Sequence, residues 1–254
     1  ANKLCHLEEG RFYGFPNPEQ PQHRPRPAGK AAVWVPYGWA RSINGVAHDA
    51  TGGKFGPFAG QFFLAELMFG GALVRANVEK VNGEYQGACF PFWSRGLLGP
   101  LTLAFDPRGR LWVGGITEPG WMAQPDRGAL FRIDFTGPVP FEMQTIRVLP
   151  RGFRIVFTAP VAPAAAREAA SYRIEHYRYE CTGAYGSPEL DRTRLTIERV
   201  ELAADGRSVD LITAPLVKGR VYLIQATGTR SAKGEKLVHP AGAYTLNEIP
   251  SERR

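Results

Sequence analysis

Thr51-Gly52-Gly53-Lys54-Phe55-Gly56-Pro57-Phe58-Ala59-Gly60-Gln61 is dense in glycine and aromatic residues, and it runs straight into the apolar stretch Phe62-Phe63-Leu64-Ala65-Glu66-Leu67. Glycine permits positive φ and close backbone approach. The proline fixes one φ and withholds a donor. A loop of this composition feeding a strand is either an architectural corner or the wall of a site. The flanking sequence has to decide.

Outward from that loop, residues 31–137 alternate short apolar runs with Gly/Pro turns. Strands are expected at Ala31–Val35, Gln61–Leu67, Ala72–Val81, Leu101–Phe105, Leu111–Gly115 and Ala129–Phe135. Between Leu103 and Gly114 the chain reads as strand, tight Asp106-Pro107-Arg108-Gly109 turn, strand, a hairpin with its turn chemistry in place. Repeated hairpins without helices point to a propeller or a sandwich. Upstream, residues 1–30 form an entry segment, with a short aromatic strand expected over Gly10–Pro16. Pro16, Pro18, Pro21, Pro25 and Pro27 then exclude helix and central strand and predict an exposed loop.

Beyond Pro138 the texture changes. Regular strands are expected at Glu142–Leu149, Phe153–Thr158, Tyr172–Tyr179, Arg194–Leu202, Ser208–Thr213, Val221–Gly228 and Ala243–Leu246, with one short helix at Pro163–Ala170. Arg194–Leu202 alternates as a strand with one buried and one wet face. Asp205-Gly206 between two such runs is a hairpin signal. About seven strands over residues 138–250 fit an immunoglobulin-like β-sandwich. The fold class is therefore all-β.

The 254 residues carry a formal charge of +7. The arginines are scattered among prolines and acidic residues, and no Lys/Arg run or recognition helix appears, so a solvated basic surface is read rather than a nucleic-acid interface. No run of 18 apolar residues exists, so no transmembrane segment is expected. Ala1-Asn2-Lys3-Leu4-Cys5 has no apolar signal-peptide region, although a mature or truncated start would look the same. Cys5, Cys89 and Cys181 give neither a disulfide framework nor zinc spacing. A Cys89–Cys181 bridge is permitted and not fixed. Cys5-His6 lacks the upstream Cys of a c-type haem motif, since position 2 is Asn2.

A family resemblance enters on Trp34-Val35-Pro36, Ser42–Gly45, Gly53–Phe58, Gly83–Ala88, Phe105–Leu111 and Ala129–Ile133. These residues resemble the last blades of glucose/sorbosone-dehydrogenase-like, quinoprotein-type β-propellers. With Gly152–Thr158, Tyr185–Glu189 and Ala243–Asn247, the chain resembles the C-terminal part of exported bacterial proteins that join such a propeller to an immunoglobulin-like module, often with cytochrome c domains. The resemblance implies a partial propeller of about two blades over 31–137, followed by the sandwich. It implies a periplasmic or extracellular setting, and remaining blades supplied by the same precursor or by a partner chain.

It also implies pyrroloquinoline quinone and calcium at the propeller axis, with electrons passed to a cytochrome c. The family's catalytic base comes from an earlier blade, so no residue here inherits it. Where the family places a cationic cofactor contact, Leu97–Leu101 has no arginine, and the nearest is Arg95. The residues left as candidates for cofactor binding are Arg41, His48, Asp49 and Lys54 around the opening loop, and Gln86, expected in a loop with Trp121. Beside that stands the plain alternative of a turn in which Asp49 and Thr51 cap backbone amides. No metal site is predicted: Asp106 and Asp126 lack the clustered carboxylates of a calcium loop. Two functions remain open: part of a sugar or alcohol dehydrogenase, or a non-catalytic interaction module of a cell-envelope assembly.

Overall fold

A computed structural model describes residues 2–13, 28–68, 71–94, 96–117, 119–122 (backbone only at 121 and 122), 124–180 and 187–251. The expectations resting on the Pro-rich loop, Arg95, Tyr185-Gly186, Cys181 and the Trp121 side chain lie outside these residues. The chain is all-β, built from antiparallel sheets, none of them closed among the described residues.

The largest sheet has eight strands. Its first half is a meander: β3 (Ile43–His48), β4 (Phe62–Glu66), β5 (Ala72–Val81) and β6 (Glu84–Trp93), each paired to the next. Its second half comprises β12 (Arg173–Arg178), β13 (Leu190–Leu195), β16 (Arg220–Gln225) and β17 (Ala241–Leu246). The halves are joined by hydrogen bonding between β6 and β17, in the register Gly87↔Thr245, Ala88↔Tyr244 and Cys89↔Ala243. The sheet therefore runs through the boundary expected near residue 138. Its outer face buries Val74, Ala76, Cys89, Tyr177, Val221 and Ala243 under the arm that carries β1 (Asn2–Leu4) and β2 (Val33–Val35).

Two smaller sheets share the inner face. One consists of β10 (Met143–Leu149), β11 (Gly152–Phe157), β15 (Ser208–Thr213) and β14 (Ile197–Leu202), in that spatial order. It closes a sandwich core around Phe90, Ile146, Phe153, Tyr222 and Tyr244. The Phe153 ring lies 5.1 Å from Tyr222 and 5.3 Å from Tyr244, so one aromatic ties both layers. The other is a three-stranded meander of β7 (Pro100–Phe105), β8 (Leu111–Thr117) and β9 (Arg127–Ile133). It packs Leu103, Leu111 and Val113 against Phe63, Ala65 and Leu73 of the large sheet. Gly45 makes that approach feasible, since a Cβ there would sit 2.7 Å from the Leu101 carbonyl oxygen.

Four sequence expectations are corrected. Arg194–Leu202 is not one strand: it breaks at Thr196, so that β13 and β14 belong to different sheets. A short helix α1 (Pro119–Met122) adds to α2 (Pro163–Arg167). β1, β3 and β6 form where no strand was expected. Gly10 lies in a turn, and residues 11–13 are not strand.

The edge of β10 crosses the inner face of β5, and the contact between them is polar. Arg75, Asn77 and Glu79 alternate along β5 and point at β10. Arg75 is 0% exposed. Its Nη1 donates to Gln61 Oε1 at 3.0 Å and to the Gln144 carbonyl at 3.1 Å, and its Nη2 donates to the Met143 carbonyl. The guanidinium lies between the rings of Phe58 and Phe90, 4.1 Å from each centroid. Asn77 both receives from the Ile146 amide, at 3.2 Å, and donates to the Ile146 carbonyl, at 3.1 Å. Glu79 accepts from the Val148 amide at 2.9 Å. Burial lowers the Arg75 pKa to about 9, against the pull of Glu142, and leaves it cationic at neutral pH.

Arg75→Met removes the donors of two buried carbonyls and of Gln61. It is expected to cost about 3–5 kcal/mol in urea denaturation. Arg75→Lys, which keeps the charge and loses the fork, recovers part of that. A loss below about 1 kcal/mol for Arg75→Met contradicts the assignment.

Candidate functional site

The five residues singled out in the sequence do not converge. Arg41 and His48 flank opposite ends of β3, roughly 20 Å apart at strand rise. The Arg41 guanidinium lies 4.9 Å from the Tyr37 ring centroid. His48 Nε2 faces the Gly60 carbonyl at 3.2 Å. Asp49 is 1% exposed; its Oδ1 accepts from the Thr51 amide at 2.9 Å and from the Thr51 hydroxyl at 2.6 Å. Lys54 Nζ donates to the Pro107 carbonyl at 3.1 Å, tying the opening loop to the β7–β8 turn. Gln86 lies on β6 rather than in a loop, and it is fully buried. Its Nε2 donates to Tyr244 Oη and to the Glu248 carbonyl, and its Oε1 accepts the amides of Asn247 and Glu248.

The opening loop is thus a corner. Gly52, Gly53, Gly56 and Gly60 hold φ between 69° and 99°. Phe55 and Phe58 turn inward to the core shared with β7–β9. Gln61 Nε2 donates to the Gln144 carbonyl at 2.7 Å, and Gln144 Nε2 donates to the Pro57 carbonyl at 2.6 Å.

These side chains do not fit a quinone site. Gln86 spends its amide inside the fold, Lys54 holds a backbone carbonyl, Asp49 Oδ1 holds Thr51 while its buried Oδ2 has no partner, and Arg41 and His48 cannot reach one ligand together. Among the described residues, no three His, Cys, Asp or Glu side chains converge on a metal position. The Cys89 thiol is buried beside the Trp34 and Ala243 carbonyls, and burial pushes its pKa up.

Among the described residues, the outer side of the β7–β9 meander gathers exposed Ile116 and Leu130 on one sheet face. Along β8, Leu111, Val113, Gly115 and Thr117 face the core, while Trp112, Gly114 and Ile116 face away. The register with β9 puts Leu130 beside Gly114 and Arg132 beside Trp112 on that outward side. Ile116 is 39% exposed and Leu130 is 69% exposed, which marks this sheet face as uncovered.

Trp112 is held in place rather than mobile on its rotamer. Its indole N–H donates to Asp106 Oδ2 at 3.0 Å, and the same oxygen accepts Arg110 Nε at 2.6 Å. Arg110 and Arg132 lie over its ring at 5.6 and 5.9 Å. The Trp112 and Arg110 donors hold the Asp106 carboxyl well below the usual carboxylate range. The arrangement is an anchored aromatic beside two guanidiniums and two exposed aliphatics. It suits contact with another protein surface, where Trp and Arg anchors dominate binding.

This face stayed unread because the expected strands Leu111–Gly115 and Ala129–Phe135 were not paired with each other. Strand parity was the available signal, since Trp112, Ile116, Leu130 and Arg132 share one side once β8 and β9 are paired. Also unread was the partly buried pair in which His239 Nδ1 lies 2.6 Å from the buried Glu142 Oε1. No local pattern links two residues so far apart in the chain.

Asp106 gives a pH prediction. A depressed carboxyl pKa contributes stability that is complete above the unfolded value of about 3.9 and is lost as pH falls through the native value. Asp106→Asn should lower Tm by a constant gap from neutral pH down to about 4, with the gap closing only below that. A gap that already narrows between pH 7 and pH 5 contradicts the role given to Trp112 and Arg110.

No protein-family model, no curated protein and no solved structure matches this chain.

Proposed function

We propose that this chain is a non-catalytic docking module, a partial propeller-like unit joined to an immunoglobulin-like sandwich, acting within a larger exported assembly. Two strand orders support the architectural part. β3–β6 and β7–β9 are consecutive antiparallel meanders packed face to face, the relation that adjacent propeller blades have. The order β10-β11-β15-β14 against β13-β12-β16-β17 corresponds to the A-B-E-D and C′-C-F-G order of immunoglobulin-like sandwiches.

The observation that carries the functional part is the outward face of β7–β9. It presents Ile116 and Leu130 around a fixed Trp112, while the five cofactor candidates from the sequence do not converge on one position. A sheet face with exposed aliphatics and an anchored Trp is what a partner surface covers. Further blades of the same precursor, or a partner chain that supplies them, suit this face.

A photo-crosslinking residue at Ile116, in the cells that make the protein, is expected to give one discrete adduct. The same residue at Arg199, on the sandwich edge, is expected to give none. Absence of an adduct at Ile116, or dye-coupled sugar oxidation by the purified chain with pyrroloquinoline quinone and calcium, overturns the docking reading.

A further inference from the structure

We propose that two copies of this chain associate through the free edge of β9, pairing antiparallel about a two-fold axis at Leu130 to form one six-stranded sheet. This rests on the reading of the β7–β9 meander as a docking element and assigns its β9 edge to a second copy of the chain.

The first argument is that β9 is the one edge strand of more than three residues, among the described residues, whose pairing runs without a register shift. Unpaired strand edges invite another strand, and folded proteins blunt them with bulges, short length, charged side chains or cover; β9 carries only the charges of Arg127 and Arg132. The other sheet edges here are all treated in that way. β1 and β2 are three residues long. The pairings of β3, β7, β13 and β14 each contain a register shift. The edge of β10 is sealed by Arg75, Asn77 and Glu79. β9 differs: it pairs with β8 over seven residues without a shift, contains no proline, and exposes Arg127, Gly128, Leu130 and Arg132.

The second argument is self-complementarity. Antiparallel pairing centred on Leu130 sets Phe131 against the partner's Ala129, large against small, on the core side. On the outward side it sets Leu130 against the partner's Leu130, and Arg132 against the partner's Gly128. No two like charges oppose each other within the strand, which antiparallel pairs require. Arg132, already 3.0 Å from its own Asp134, lies diagonal to the partner's Asp126. Each Arg132 therefore stands between two carboxylates from opposite chains. Phe131 and Ile133, only partly buried beside the fully buried Leu111 and Val113, gain cover from the added strand.

The association is isologous, so it closes at two copies and does not propagate. A seven-residue strand pair with its flanking side chains falls short of the ~1,200 Å² of a standard interface, so a concentration-dependent dimer with micromolar dissociation is expected.

Sedimentation velocity of the full chain from low micromolar to several hundred micromolar tests this directly. Dimer should grow with concentration, and Leu130→Lys, at a position 69% exposed, should weaken it at least about tenfold with circular dichroism unchanged. Leu130→Cys, in a Cys5→Ser/Cys181→Ser background, should form a disulfide-linked dimer under mild oxidation. Thr102→Cys in the same background, on the outward face of β7, should not. A chain that stays monomeric across the range, or a dimer indifferent to Leu130→Lys and not cross-linked at position 130, overturns the proposal. A monomer that still gives the Ile116 adduct sinks self-pairing alone. A β9-linked dimer with no Ile116 adduct sinks the heterologous docking reading alone.

Discussion

The edge of β10 has to be satisfied, and Arg75, Asn77 and Glu79 satisfy it. An unpaired strand edge buried against another sheet would leave amides and carbonyls without water or a ladder, at a cost comparable to a lost hydrogen bond for each group. Here side chains from β5 replace the missing strand. They reach the Met143 and Gln144 carbonyls, both polar groups of Ile146, and the Val148 amide. The charge on Arg75 is tolerated because three acceptors and two aromatic faces replace its hydration.

The rest of the architecture follows from this seam. It fixes the four-stranded sheet over one half of the large sheet's inner face and leaves the other half for β7–β9. It also gives the opening loop its task. Phe58 forms one wall around Arg75, Gln61 accepts from it, and Pro57 receives Gln144. Glu79 continues the chain of contacts by accepting from Tyr244 Oη at 2.7 Å, and Tyr244 in turn accepts from Gln86. A polar line thus runs from the opening loop through β5 to β17. Such networks specify one arrangement of sheets to the degree that their members are paired, and of the buried side-chain atoms in this line only Arg75 Nε has no partner.

The sequence made the all-β class and most hairpins legible because turn chemistry is local: Asp106-Pro107-Arg108-Gly109 and Asp205-Gly206 sit where strands reverse. β6 was not legible. Gly87 and Pro91 argue against a central strand. Gly87 is there because a Cβ would lie 2.0 Å from the Asn77 carbonyl oxygen, and Pro91 falls beyond the three residues that pair with β17. The break at Thr196 was hidden because alternation continues on both sides of it, and periodicity does not say which sheet a strand joins. The candidate residues were chosen for their chemistry near a glycine-rich loop. Gln86 and Asp49 are polar and buried for the same reason a ligand site would be, and only their partners reveal that the ligand is the chain's own backbone and hydroxyls. The alternation Arg75-Asn77-Glu79 within an apolar strand was the unread signal.

Amide hydrogen exchange at Ile146 and Val148 tests the central claim most directly. Both N–H groups donate to side chains across the seam, Ile146 to Asn77 and Val148 to Glu79. If these side chains hold the four-stranded sheet against β5, both amides exchange only through global unfolding, with the same opening free energy as the Phe153 and Leu211 amides in the sandwich core. Exchange of Ile146 and Val148 through a local opening, faster by orders of magnitude than those core amides, would contradict the account.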